Sequence, residues 1–330
     1  MTPSETKYRD TVNRLAIALL CFEGLFLITG GVSGLLALLT QSLGTVTAEV
    51  ITELAGGLMY CVVFVVPVFL FYLISKNKPV APMRLELSLP RETPLYIFMG
   101  IAVITGAAYI NSYMVSFFNY GVFFDEVLWD QPVTTNYQLV LALLTTAVIP
   151  AFVEEFLFRG LILSNLRPFG NTTAVVGSAL LFGMMHQNVG QLFYTTVAGL
   201  VIGYLYVKTE SLWPCILLHF VNNFNSVLNS TLAERLPVER ANLAIGLIQG
   251  AFCLLGVLSA LHLMLSQKDH RRAVLAEGCF ERQLAPHFDY AEEELSPRRR
   301  VRLFFSVPMI VFFAICVVQM GGLALVSLYY

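Results

Sequence analysis

The feature that most constrains this chain is the number of apolar runs long enough to cross a bilayer. A spanning helix needs about 20 mainly apolar residues. The sequence offers roughly nine such runs, near 15–40, 56–75, 95–118, 137–163, 172–187, 190–207, 211–229, 241–265 and 303–328. The fifth is short enough to be partly re-entrant. At 57% hydrophobic and 13% charged residues, with a mean hydropathy of +0.71, the chain falls outside the usual range of soluble domains. The pattern predicts an all-α polytopic membrane protein.

The basic residues test how such runs thread, because Lys and Arg favour cytoplasmic connections. With the amino terminus inside, Lys7, Arg9 and Arg14, the stretch 76–92, Arg167, Lys208 and the loop 266–302 all fall on one side. The other side receives Glu49 and Glu53, then Asp125, Glu126 and Asp130, then the balanced segment 230–240. A net charge of -2 implies no nucleic acid partner. Within 76–92, "MRLELSLPRE" alternates apolar and charged residues, as an amphipathic connection at the interface would. The insertion 266–302 ends in "SPRRRVR", read here as an orientation signal. Acids lie among the bases of the amino terminus, and no small-residue cleavage site is in evidence, so the first hydrophobic segment is expected to stay. Cys21, Cys61, Cys215, Cys253 and Cys316 lie in apolar runs and Cys279 in a polar one, without paired ligand spacing; they read as packing residues.

Against this background "AFVEEFLFRG", residues 151–160, stands out. An ionisable group at the bilayer centre costs about 2.5–3.5 kcal/mol even on lenient scales. On one helix Glu155 and Arg159 are four residues apart and share a face, whereas Glu154 points elsewhere. One glutamate can pair and the other is left free. Pro150, a turn earlier, removes a backbone donor and is expected to open carbonyls and space for water. "LFGMMHQN" places Phe182 and His186 on one helical face, and "LLHFVNNFN" does the same for His219 and Asn223. Each group has a bland alternative: an ion-paired trio locking two helices together, or interhelical hydrogen bonds that include Asn222, Asn225 and Asn229. Convergence of a glutamate, two histidines and an amide points instead to a polar site. His262, His270 and His287 have no such company, and Glu23 is a further intramembrane acid whose partner the sequence does not reveal.

These motifs resemble those of the CPBP intramembrane proteases, the family of the type II CAAX prenyl endopeptidases and bacteriocin-processing enzymes. The family signature has two glutamates and an arginine, then phenylalanine and histidine, then histidine and asparagine. It reads here "EEFLFR" at 154–159, "FGMMH" at 182–186 and "HFVNN" at 219–223. The resemblance covers about 137–229. It implies a conical catalytic core in which Glu154 and His186 activate a water while His219 and Asn223 stabilise the oxyanion. It also implies that Glu155 and Arg159 position Glu154 and that Phe182 packs against the site. No cofactor and no metal are implied. The partners are the bilayer and a membrane-associated peptide or lipidated protein, with a prenylated carboxyl terminus as one option. The chain then divides into amino-terminal helices (1–136), a catalytic core (137–229) and carboxyl-terminal helices (230–330).

Two other readings remain open. Two histidines and a glutamate form a known zinc ligand set, although no H-E-x-x-H helix is present. A non-catalytic immunity, scaffolding or transport protein would bind with the same polar cluster. The expected location is a bacterial plasma membrane, with the amino terminus cytoplasmic and the site opening toward the cytoplasmic leaflet. Helix rise leaves one strain: His186 comes out about 7 Å deeper than Glu154 and His219, so the fifth helix is tilted or begins inside the membrane.

Overall fold

The computed structural model of the chain describes all residues except 77, 79, 88, 118–132, 277–294 and 327–330. Cys279, His287, the acids at 125–130 and most of the two polar connections therefore lie outside the described residues. The described residues form helices α1 (Pro3–Thr40), α2 (Thr45–Ile74), α3 (Thr93–Phe117), α4 (Asn136–Phe169), α5 (Asn171–Met185), α6 (Val189–Thr209), α7 (Leu212–Arg235), α8 (Val238–Ala276), α9 (Pro297–Phe304) and α10 (Val307–Val326). A capping box at Thr2 and Glu5 starts α1, and another at Thr135 and Gln138 starts α4. Each satisfies two amide donors at a helix entry that would otherwise be unpaired.

Six helices are long and apolar enough to cross a membrane, or seven if α9 and α10, bent by 66°, count as one span. The described helices thus do not reach the nine spans expected. Helix α5 falls short on length: its 15 residues rise only about 22 Å, against a hydrocarbon core of about 30 Å. Helix α7 is long enough, but its run of His219, Asn222, Asn223, Asn225 and Asn229 dilutes its hydropathy.

Helix α4 is the axis of the bundle. Every residue from Leu157 to Leu166 is buried, as expected of a segment apolar all round except at its functional groups. Contacts between connections divide the bundle into two ends. At one end Lys78 bonds Asp10, Arg14 bonds Ser75, Arg299 pairs with Glu5, and Arg84 and Arg167 both pair with Glu210. At the other, Tyr137 and Gln138 bond Glu49 and Arg235 holds the Val133 carbonyl. The basic segments do gather at one end, as their spacing suggested. The connection after α2 does not simply float there. Leu85 makes a single antiparallel bridge to Ser211, Ser211 Oγ donates to the Glu86 carbonyl at 2.6 Å, and the Ala81 amide donates to Asn165 Oδ1 at 3.0 Å. Its backbone polar groups find partners in α4 and at the start of α7.

Helices α5 and α6 form a hairpin that leaves the basic end and returns to it, since Arg167 just before α5 pairs with Glu210 just after α6. Two glycines let the arms touch. A Cβ on Gly199 would stand 2.9 Å from Ala179 Cα, and one on Gly183 would stand 2.1 Å from Thr196 Oγ1. Close backbone approach through small residues is how helices gain dispersion contacts where no hydrophobic drive exists.

Candidate active site

The depth strain in the sequence reading came from ending the fourth helix near 163. It runs to Phe169, so Glu154 lies thirteen residues above Arg167, about 20 Å, and His186 fifteen above Asn171, about 22 Å. The two levels agree, and the offset passes to His219, seven residues after Leu212 or about 10 Å. The hairpin turn at 186–188 is inside the bundle, with Gln187 buried.

Along α4 the backbone departs from the α form in two π turns, at Leu143–Val148 and Phe156–Leu163, and in a closing 3-10 turn at Arg167–Phe169. Such insertions recur at functional sites because they redirect side chains and free carbonyls. Pro150 explains part of the first. In a regular α-helix the Thr146 carbonyl would accept from residue 150, which here has no N–H. Asn223 Nδ2 donates to that carbonyl at 3.0 Å. The expected opening of carbonyls at Pro150 is thus answered by a side chain of the third motif, joining α7 to α4. Asn223 Oδ1 in turn accepts from Asn222 Nδ2 at 3.0 Å, and Asn222 Oδ1 accepts from Tyr194 at 2.6 Å.

Glu155 and Arg159 form the ion pair that their spacing predicts, Nη1 to Oε1 at 2.7 Å, with both side chains fully buried. Arg159 Nη2 also donates to the Gly199 carbonyl at 3.1 Å, and the guanidinium lies 4.8 Å from the Phe182 ring centroid. Glu155 Oε1 holds a second group, His219 Nδ1, at 2.7 Å. The other nitrogen, Nε2, faces Glu154 Oε2 at 3.9 Å. That distance is too long for a hydrogen bond.

Glu154, 4% exposed, has a partner that sequence reasoning missed: Tyr60 of α2 donates to its Oε1 at 2.5 Å. Only the apolar run around Tyr60 was legible; a single phenol in a 30-residue helix carries no motif.

Among the described residues Glu154 and His186, expected to act together, share no direct hydrogen bond. His186 Nδ1 instead bonds the Phe182 carbonyl at 2.8 Å, which assigns the proton to Nδ1 and leaves Nε2 as an acceptor. Phe182 stands between the histidines, its ring centroid 4.8 Å from that of His186 and 5.9 Å from that of His219. Its ring thus lies edge-on to both imidazoles. Among the described residues no three His, Cys, Asp or Glu side chains are grouped to hold a metal ion. His262 lies on α8, outside these contacts.

Residues 136–225 match a family model described as type II CAAX prenyl endopeptidase, Rce1-like. The Bacillus subtilis (strain 168) protein named "Putative membrane peptidase YdiL" is 26% identical over 115 residues, which cover 34% of this chain and 47% of that protein. The chain therefore spans about half the length of the curated relative it matches. No solved structure gives a significant match. The matched segment contains all three motifs; Glu155, Phe182 and His219 are in contact across α4, α5 and α7, and Asn223 reaches the Thr146 carbonyl of α4. Residues 136–225, with the three motifs, are thus similar to the type II CAAX prenyl endopeptidases of that family model.

Proposed function

We propose that this chain is an intramembrane endopeptidase that hydrolyses a peptide bond of a membrane-associated substrate with water activated at Glu154. One observation carries the reading: of two adjacent buried carboxylates, Glu155 is engaged by Arg159 and His219 Nδ1, while Glu154 Oε2 stands 3.9 Å from His219 Nε2 without a hydrogen bond to it.

Glu154 takes a proton from the water as it attacks the scissile carbonyl carbon. The negative charge that develops on the carbonyl oxygen is met by His219 Nε2–H, with the ring protonated at both nitrogens, and by the Asn223 amide proton not used on Thr146. The attacking water and the carbonyl oxygen end on the same carbon. Base and oxyanion donor must therefore stand a few ångströms apart, as Glu154 and His219 do. Donors of this kind contribute about 3–4 kcal/mol each when judged by mutation. Glu154 then returns that proton to the leaving amine as the carbon–nitrogen bond breaks, while His186, with Nε2 free to accept, helps hold the water through its other hydrogen. Glu155 and Arg159 fix the His219 ring.

The substrate class is a peptide anchored in the bilayer, with a lipidated carboxyl terminus as one form. Entry is from the basic end, toward which both arms of the α5–α6 hairpin open, and that end is cytoplasmic. The purified protein in proteoliposomes, given membrane-anchored peptides in H2(18)O, should release products carrying one heavy oxygen at a new carboxyl terminus. Intact peptides with the unmodified protein, alongside specific retention of those peptides, would favour a binding role. Activity that disappears with chelator and returns with stoichiometric zinc would favour the metal hydrolase.

A further inference from the structure

Glu23 of α1 is 1% exposed and takes no part in the chemistry above. Its carboxylate is met by three side chains. Gln187 Nε2 donates to Oε2 at 2.7 Å, Cys316 Sγ approaches Oε1 at 3.5 Å, and the Gln319 side chain lies against the same group. Gln187 directly follows His186. It is also one of two non-glycine residues with positive φ among the described residues, at 51°. A left-handed conformation at such a residue is strained and persists only where surrounding contacts impose it. The Gln187 side chain is anchored by Glu23, and its amide closes the end of α5 on the Met184 carbonyl at 3.1 Å.

We propose that Glu23 is a positioning residue for His186, acting through Gln187. The bond from α1 holds Gln187 in its left-handed conformation, which ends α5 at Met185 and fixes the backbone from which the His186 ring returns to the Phe182 carbonyl. Helices α1 and α10, outside the segment that matches the family model, thereby hold one wall of the site. The proposal rests on the peptidase reading for its kinetic consequence, but its structural consequence is independent of it.

The test uses full-length protein in detergent and in proteoliposomes. Glu23→Leu and Gln187→Ala should each lower kcat by about 10- to 100-fold, the scale of a displacement near 1 Å in a catalytic group, with KM changed less than about 2-fold. Glu23→Gln keeps an acceptor for Gln187, and the Gln319 Oε1, which has no partner, can turn to receive the new amide. That variant should recover most of the rate. Gln187→Gly adopts the left-handed conformation freely and should exceed Gln187→Ala. Glycine at 187 should also suppress the effect of Glu23→Leu, because the two changes act on one element. In 15N-histidine spectra, with His186 assigned through His186→Gln, the protonated-Nδ1 signature of His186 should be lost or broadened in Glu23→Leu and retained in Glu23→Gln. An unchanged His186 signal in folded Glu23→Leu, or equal effects of Gln187→Ala and Gln187→Gly, overturns the proposal. A protein without peptidase activity whose His186 signal still follows Glu23 overturns the functional reading and leaves this one standing.

Discussion

Replacing Arg159 by methionine keeps most of the buried volume and removes the charge, so it isolates what the guanidinium contributes. The wild-type group bonds Glu155 and the Gly199 carbonyl and lies on the Phe182 ring. Both ion-pair partners are fully buried, so water does not screen the loss. Breaking a buried pair from one side costs about 3–5 kcal/mol, because the remaining charge is uncompensated. The lower part of that range applies here. Arg159 Nε and Glu155 Oε2 have no partner even in the intact site, and His219 Nδ1 remains on Glu155 in the variant. Glu155→Leu should cost a similar amount from the other side. The double variant removes both charges, and replacing a buried pair by apolar groups is often neutral or stabilising by about 1–4 kcal/mol. It still strands His219 Nδ1, which costs about 1–3 kcal/mol. Its net cost should be at most about 3 kcal/mol, against roughly 6 for the summed single changes, a coupling near 3 kcal/mol. Reversible unfolding in mixed micelles, followed by circular dichroism, gives the four free energies. Additivity within about 0.5 kcal/mol would refute the paired, desolvated account of Glu155 and Arg159.

Two further outcomes follow from single contacts. Tyr60→Phe removes the donor on Glu154 Oε1; a bond to a charged group is worth about 1.5–3 kcal/mol, so kcat should fall about 10-fold or more at unchanged KM, and an unchanged kcat would show that the phenol does not orient the base. Gly183→Ala forces a Cβ to within 2.1 Å of Thr196 Oγ1 and 3.2 Å of the Leu192 carbonyl; unfolding should become easier by about 1–3 kcal/mol, Thr196→Ala should recover part of the loss, and no recovery would mean that the hairpin arms yield elsewhere.

What the sequence disclosed follows the range over which a helix fixes geometry. Four-residue spacing alone paired Glu155 with Arg159 and left Glu154 free, and it placed His186 within reach of Phe182. The shortness of the fifth apolar run suggested a partly re-entrant segment, tilted or beginning inside the membrane; that it instead starts at the basic end and stops inside the bundle was not legible. Contacts set by the rotation of one helix against another were not legible. Tyr60 and Glu154 are separated by 94 positions, and Glu23 and Gln187 by 164. A one-residue change in the register of α2 or α1 would abolish either contact without altering hydropathy. The role of Asn223 was half legible. Its place beside His219 followed from spacing, whereas its bond to Thr146 follows from a carbonyl that only the proline and the π turn together leave open.

The central claim is that Glu154 is the base for peptide hydrolysis, and its most direct test is the cleavage rate of one membrane-anchored, internally quenched peptide in proteoliposomes by wild type and Glu154→Gln. The glutamine keeps an acceptor for Tyr60 and the volume of the side chain, so the variant should unfold within about 1 kcal/mol of wild type. General base catalysis contributes about 10²- to 10⁴-fold, and the account predicts a loss of that size in kcat. A variant that folds as well as wild type and keeps a tenth or more of its rate would contradict it.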